Sequence, residues 1–184
     1  MTDENRRQHN AQCLAELFPT FRNRVEGMIA MLEARGFHPR IQEAWRSRDE
    51  QLRRFRAGET RKKFGLHNIT GKNGLKEALA VQLPEADETA PASPRYLLAL
   101  AAVARWHGCQ TGILLDLEEA AQGAVIAAID RTEFDAAVPL GRAPAYVTPL
   151  GITVLEARHG KRPGPGLIVA NSNTGDVLRR LHGD

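Results

Sequence analysis

The stretch that decides the fold spans residues 37–58 and reads FHPRIQEAWRSRDEQLRRFRAG. Residues 37–45 carry the apolar and aromatic side chains of an extended segment, which predicts a strand. Ser47 is a typical helix N-cap, and Glu50 follows it three residues later as in a capping box. This pattern predicts a helix that ends at Gly58. Arg46 therefore falls at a strand-to-helix junction, where its guanidinium can project into a cleft.

Two shorter phrases follow this stretch. Residues 65–68 read GLHN, and residues 78–83 read ALAVQL. Between them, residues 68–74 read NITGKNG, which has the composition of a loop with an Asn-Gly turn. The sequence thus predicts a loop that carries His67, followed by a core strand over residues 77–81.

Together, these phrases resemble the D-alanyl-D-alanine carboxypeptidase and L-alanyl-D-glutamate endopeptidase family, the zinc enzymes of bacteria and phages that cut peptidoglycan stem peptides. The resemblance covers roughly residues 14–160 of the chain. It implies an α+β fold of the hedgehog/DD-peptidase type, in which helices flank a small antiparallel sheet. We expect one such domain over residues 1–160 and a C-terminal tail of uncertain structure over residues 161–184.

The resemblance also implies where a zinc site would lie. His67 matches the first zinc ligand of the family, and Gln82 stands at the second, in a phrase that is Ala-x-Asp in the family. The third ligand is a His in an Asp-Pro-x-His-Val phrase, and residues 141–149 match it with the letters GRAPAYVTP. Tyr146 then replaces the zinc His, and Ala143 replaces the catalytic acid.

These replacements matter chemically. Catalytic zinc needs three protein ligands drawn from His, Cys, Asp and Glu, and one open position for the water that it activates. A glutamine amide is uncharged, tyrosine binds zinc rarely, and alanine cannot act as a general acid or base. We therefore predict a catalytically degenerate relative that keeps His67 as a remnant, needs no cofactor and has no catalytic residues. It would bind cell-wall peptides or form part of a phage-like particle.

An active zinc peptidase with relocated metal ligands is the alternative. His67 and two further donors would then surround one zinc ion within about 2.3 Å. The candidate donors are His38, His107, Cys109, Asp116 and His159. For His107 and Cys109 there is a simpler interpretation, in which both close the end of a helix and Cys109 is buried as a small apolar residue.

Three residues are candidate ligand-binding residues, namely Arg46, Gln51 and His67. The resemblance implies that Arg46 binds a carboxylate of the peptide, since a planar guanidinium meets both oxygens at once. The alternative is a structural salt bridge from Arg46 to Glu43, Asp49 or Glu77. His67 has its own alternative, that of a loop histidine that hydrogen-bonds a turn.

Composition fits one globular domain. The chain has 184 residues, of which 42% are hydrophobic, and no apolar run approaches the roughly 20 residues of a membrane span. The N-terminal residues contain no secretory apolar segment, which predicts cytoplasmic synthesis without a signal peptide and delivery to the wall by lysis or by a particle. Cys13 and Cys109 are the only cysteines, and we expect both to be free thiols.

A dense basic segment spans residues 46–63 and contains eight Arg or Lys residues against three acidic ones. Such a segment suits an anionic polymer, either nucleic acid or the acidic wall. The alternative is a solvated helix face whose acidic neighbours pair with it at helical spacing. Nucleic acid is the least favoured partner, because no aromatic residues interleave the segment as stacking platforms.

The rest of the chain alternates between helix and strand patterns. Apolar residues at helical spacing predict a short helix, then a longer helix that begins near Pro19 and is closed by Gly36. A second apolar helix is predicted over residues 96–106, closed by Gly108. Further predicted elements are a polar, proline-rich loop at 84–94, strands at 111–116 and 138–148, and helices at 117–130 and 153–159.

Overall fold

The computed structural model describes residues 1–86, 94–111 and 146–149. This part of the chain has an α+β architecture with four helices and a three-stranded antiparallel sheet, as the sequence predicts at this coarse level. The helices are α1 (Asp3–Leu14), α2 (Pro19–Glu33), α3 (Arg48–Arg56) and α4 (Pro94–Trp106). The strands are β1 (Val81–Gln82), β2 (Cys109–Thr111) and β3 (Tyr146–Pro149), and they lie in the order β1-β3-β2.

The helical predictions are confirmed wherever they fall on described residues. Pro19 occupies the first turn of α2, where its missing N–H removes no helical hydrogen bond. Gly36 and Gly108 adopt φ values of 81° and 66° after α2 and α4, a left-handed conformation that favours glycine. Local signals of this kind lie within a few residues of the helix ends, so the sequence alone reveals them.

The core lies between α2, α4 and the sheet. Four α2 side chains at helical spacing are fully buried, namely Phe21, Val25, Met28 and Leu32. Each contributes about 1.5–3 kcal/mol by leaving water. From α4, the Tyr96 hydroxyl donates a hydrogen bond of 2.6 Å to the carbonyl of Leu83, which fastens the helix to the end of β1.

The predicted strand at residues 37–45 is wrong as a regular strand. The segment is extended, but it pairs only through isolated bridges, from Pro39 to Glu85 and from Glu43 to Gln82. Pro39 has no N–H to donate, and the N–H of Ile41 bonds to the Asn10 side chain of α1 instead of to another strand. Helix α1 thus takes up hydrogen bonds that a neighbouring strand would otherwise accept.

β1 is shorter than the predicted strand at 77–81. It begins at Val81, because Ala78 bridges the connector between α1 and α2 through Leu17. β2 covers Cys109–Thr111 and so begins ahead of the predicted strand at 111–116, and β3 covers Tyr146–Pro149, at the end of the predicted strand at 138–148. Residues 112–116 and 138–145 lie outside the described residues. The predicted helices at 117–130 and 153–159, the tail at 161–184 and most of the 84–94 loop lie outside the described residues.

Gly27 of α2 is a point of close approach to His107, which follows α4. A methyl group at position 27 would lie 2.4 Å from the imidazole Cε1. Alanine is favoured over glycine in a helix by about 1 kcal/mol, but displacing the ring costs more. We expect Gly27→Ala to destabilise the protein by about 1 kcal/mol, and to stabilise it when His107 is also alanine. Urea unfolding compares the unsubstituted protein with Gly27→Ala, and His107→Ala with Gly27→Ala/His107→Ala. If Gly27→Ala still destabilises the protein when His107 is alanine, the steric explanation is contradicted.

Within the described ranges, no helix is both long and apolar enough to cross a membrane.

Candidate functional site

Helix α3 begins at the N-cap that the sequence predicts. Ser47 caps α3, and its hydroxyl accepts a hydrogen bond of 3.2 Å from the N–H of Glu50. Gly58 follows the helix with a φ of 74°. The Glu50 carboxylate accepts hydrogen bonds from Arg53 and Arg54. The cap fixes the direction of the chain at Arg46, immediately before the helix.

A single 3₁₀ turn at Leu66–Asn68 packs against this junction. The N–H of Arg46 donates to the carbonyl of His67 at 2.9 Å, and the Asn68 amide donates back to the carbonyl of Arg46 at 2.8 Å. The Asn68 side-chain oxygen also accepts from the N–H of Gly65 at 2.7 Å. Two phrases about twenty residues apart in sequence, WRS and GLHN, are therefore joined by backbone and amide hydrogen bonds.

The imidazole of His67 is buried within this contact, with 6% of the residue exposed. Nδ1 lies 2.5 Å from the carbonyl oxygen of Ala44. A carbonyl can only accept, so Nδ1 carries the hydrogen, and in the neutral ring the lone pair is on Nε2. Burial lowers the pKa of His67, while the Ala44 hydrogen bond and the charge of Glu43 oppose this shift only in part. His67 is thus a neutral, oriented imidazole near neutral pH.

Arg46 is engaged on all sides of its guanidinium. Nε donates to Glu43 Oε1 at 2.7 Å, a second nitrogen donates to the other Glu43 oxygen, and Nη1 donates to Gln51 Oε1 at 2.6 Å. The sequence left Glu43, Asp49 and Glu77 as alternative salt-bridge partners of Arg46, and the structure shows the salt bridge to Glu43. The Gln51 amide in turn donates to the carbonyl of Lys62 at 2.6 Å. In this conformation, Arg46 and Gln51 bind to the protein itself.

Glu43 is the site residue that the sequence did not single out as part of a functional site. It lies between Arg46 and Arg54, whose guanidinium is 3.3 Å away. Burial alone would raise the pKa of Glu43, but the Arg46 hydrogen bonds, with the charges of Arg46 and Arg54, lower it overall. Glu43 is therefore ionised at neutral pH. Its position three residues before Arg46 was the available signal.

Asn68 was likewise missed as an anchor. The sequence placed it at the start of a loop, whereas its side chain is buried and bonds to both Arg46 and Gly65. Its position next to His67, as the last residue of the GLHN phrase, was the signal that could have indicated this role.

Backbone pairing aligns the two positions that the resemblance assigns to the second and third zinc ligands. Gln82 of β1 is directly opposite Tyr146 of β3, and on its other side it bridges Glu43. The neighbouring register pair, Val81 and Val147, is fully buried, whereas Gln82 is half-buried. Because alternate strand residues face opposite sides, Gln82 faces away from the core, on the same side as Glu43.

The donor set does not fit a catalytic zinc ion. His67 offers one imidazole, but Gln82 offers only a neutral amide. Across residues 1–86, 94–111 and 146–149, no cluster of three or more His, Cys, Asp or Glu side chains is arranged to hold a metal ion.

The candidate relocated ligands are dispersed where they are described. His38 lies 3.5 Å from Asp3 of α1. His107 Nε2 is 3.1 Å from the Met31 sulfur, and Cys109 is a fully buried free thiol, with a pKa that burial raises to about 12. Cys13 is also a free thiol. The other candidates, Asp116 and His159, and the replaced acid position Ala143 lie outside the described residues.

The free energy of unfolding should decrease as the pH falls below 6.5, because of His67. Its folded-state pKa lies below the ordinary value of 6.5, so the unfolded chain binds the proton first as the pH falls. This lowers the free energy of unfolding below pH 6.5, by at most about 1.4 kcal/mol per pH unit. We expect His67→Asn, whose amide can still donate to Ala44, to reduce that slope. Urea unfolding at several pH values measures it.

The remaining slope in the His67→Asn protein comes in part from His107, whose pKa is lowered by burial and by Arg24. The lowered pKa of Glu43 acts in the same direction but only in a more acidic range, below its ordinary value of 4.5. An unchanged slope just below pH 6.5 in His67→Asn would contradict the assignment of this slope to His67.

No protein-family model, curated protein or solved structure matches this chain. The resemblance of its phrases to zinc peptidases of the cell wall therefore stays a prediction.

Proposed function

We propose that this chain is a degenerate relative of the zinc peptidases of peptidoglycan, with a hedgehog/DD-peptidase-like fold, which binds cell-wall peptide without cutting it. One observation supports this most directly. The positions that the resemblance assigns to the second and third zinc ligands are directly opposed in the sheet, as Gln82 and Tyr146. Two phrases about 60 residues apart were matched separately to one metal site, and they lie in one register pair, as two ligands of one ion need to lie close together.

The retained parts suit binding without hydrolysis. His67 has the tautomer of a zinc ligand, with the proton on Nδ1 held by a backbone carbonyl. Gln82 replaces a charged ligand by an amide that both donates and accepts hydrogen bonds. A peptide backbone needs such paired donors and acceptors, so Gln82 is the residue that we expect to meet the peptide.

Arg46 contributes to this site in a different way from the one that the family suggests. Its guanidinium already forms a fork with Glu43 and bonds to Gln51, so a peptide carboxylate would have to displace Glu43. We therefore propose that Arg46 and Gln51 stabilise the junction between the extended segment and α3. As a component of a phage-like particle, the protein would reach the cell wall at lysis or together with the particle, and it would bind the peptide there.

Metal content and peptide binding test the proposal together. The purified protein is incubated with zinc, dialysed and analysed by mass spectrometry, and a synthetic stem peptide with the L-alanyl-D-glutamate bond is titrated by calorimetry. We expect no retained zinc and measurable binding that Gln82→Ala weakens about tenfold. Gln12→Ala, at an exposed glutamine of α1, is the matched control and should change nothing. Absence of peptide binding would refute the proposal.

The active zinc peptidase with relocated ligands is the second candidate. Stoichiometric retained zinc with cleavage of the stem peptide would establish it, and the ligands would then be sought among Asp116, His159 and the other candidate donors.

A further inference from the structure

The eight cations of the basic segment divide into three that form ion pairs, namely Arg46, Arg53 and Arg54, and five others. Arg46 pairs with Glu43. Arg53 and Arg54 pair with Glu50 at 2.7 and 2.8 Å, and Arg53 also lies 3.6 Å from Glu59. This is the helical-spacing pairing that one interpretation of the sequence predicted. For these two arginines, that interpretation is correct.

A second group of cations is exposed and is not used in this way. We call it the basic surface, and its members are Arg48, Arg56, Arg61, Lys62 and Lys63. Among the described residues, no ion pair joins any of them to a carboxylate. Residues 46–63 hold eight basic and three acidic residues, a surplus of five, while the whole chain carries a net charge of only +3. Positive charge is therefore concentrated on this surface.

The loop that carries most of the basic surface has a defined conformation. The carbonyl of Lys62 accepts from the Gln51 amide at 2.6 Å, and its N–H donates to Thr60 at 3.2 Å. The Lys63 ammonium lies 5.2 Å from the centre of the Phe55 ring. Because Gln51 also accepts a hydrogen bond from Arg46, the basic surface adjoins the candidate functional site.

We infer that the basic surface binds a phosphodiester polymer of the bacterial wall, a polyol-phosphate chain. This rests on the proposed function, which brings the protein to the wall. Guanidinium forks suit phosphate oxygens, and several exposed cations close together in the sequence suit a repeating anion. Single-stranded nucleic acid fits less well, since it needs open aromatic faces for its bases, and Phe55 is half-buried beneath Lys63.

The test is titration of the full chain with short synthetic poly(glycerol phosphate) over a series of salt concentrations. The variant replaces Arg56, Arg61 and Lys62 by Gln and leaves Lys63 on Phe55. The matched control replaces Arg7, Arg35 and Lys72 by Gln, three exposed cations elsewhere, and has the same net charge. We expect binding that weakens with salt, falls about tenfold in the variant at low salt and falls less than twofold in the control.

Each outcome is decisive. Equal loss in the variant and the control, or no binding of the polymer at all, overturns the inference. Tighter binding of a double-stranded DNA oligonucleotide, with the same dependence on the three residues, overturns it in favour of nucleic acid. Because the stem peptide is titrated separately, polymer binding without peptide binding would uphold the basic surface and refute the proposed function.

Discussion

Zinc should bind stoichiometrically when Gln82→Asp and Tyr146→His are combined in one protein, and it should survive dialysis. The two positions form a directly opposed antiparallel pair. In such pairs, the Cβ atoms lie about 4.5–5.5 Å apart. An aspartate oxygen and an imidazole nitrogen placed there can approach one ion at about 2.0–2.2 Å. The resemblance assigns the remaining ligand to His67, whose Nδ1 donates to Ala44 and which would therefore coordinate through Nε2.

Controls for this experiment are available in the same chain. Each single substitution supplies two ligands at most, and we expect it to lose zinc on dialysis. Adding His67→Asn to the double variant should also abolish retention, since it removes the first ligand and keeps a donor for Ala44. Zinc retained by the triple variant, or not retained by the double variant, would contradict the alignment of these three positions as a former metal site.

The double variant should bind zinc without becoming a peptidase. Ala143 has no acidic group to accept a proton from a zinc-bound water, so this chain would still lack a general acid or base at that position. Stem-peptide cleavage measured by mass spectrometry is expected to stay at the level of the unsubstituted protein. Zinc retention and peptide cleavage by the double variant therefore test metal binding and catalysis separately.

Sequence reasoning succeeded where the signal is local. Ser47 and Glu50 define the start of α3, and Gly36, Gly58 and Gly108 mark helix ends, because each needs only a few neighbouring residues. Strand limits depend instead on which distant segment supplies the partner. The strand expected at 37–45 was wrong because α1 takes up some of its hydrogen bonds through Asn10, a contact that no local pattern indicates.

The candidate site shows the same division. The sequence predicted that Arg46 and His67 belong together, and hydrogen bonds join their segments. Three carboxylates were possible partners of Arg46, and the choice of Glu43 depends on the bridge that Glu43 makes with Gln82. That bridge holds the Glu43 backbone, so that its carboxylate stays within reach of both Arg46 and Arg54.

Removing the Glu43 carboxylate should be among the most destabilising single changes at this site. The Glu43 side chain is 15% exposed and that of Arg46 is 8% exposed, so Glu43→Ala leaves a nearly buried guanidinium without its main counter-charge. Breaking a buried pair in this way costs about 3–5 kcal/mol. Urea unfolding at neutral pH measures the loss, and Glu50→Ala is the matched control, because Glu50 also contacts two arginines but lies on the surface.

The double variant Glu43→Ala/Arg46→Ala separates the pair from its surroundings. If the cost arises from an uncompensated buried charge, removing Arg46 as well recovers part of the stability, so the combined loss is smaller than the sum of the two single losses. Additive losses, or a Glu43→Ala protein as stable as Glu50→Ala, would contradict the explanation by a buried ion pair, and with it the structural role of Arg46 at the junction.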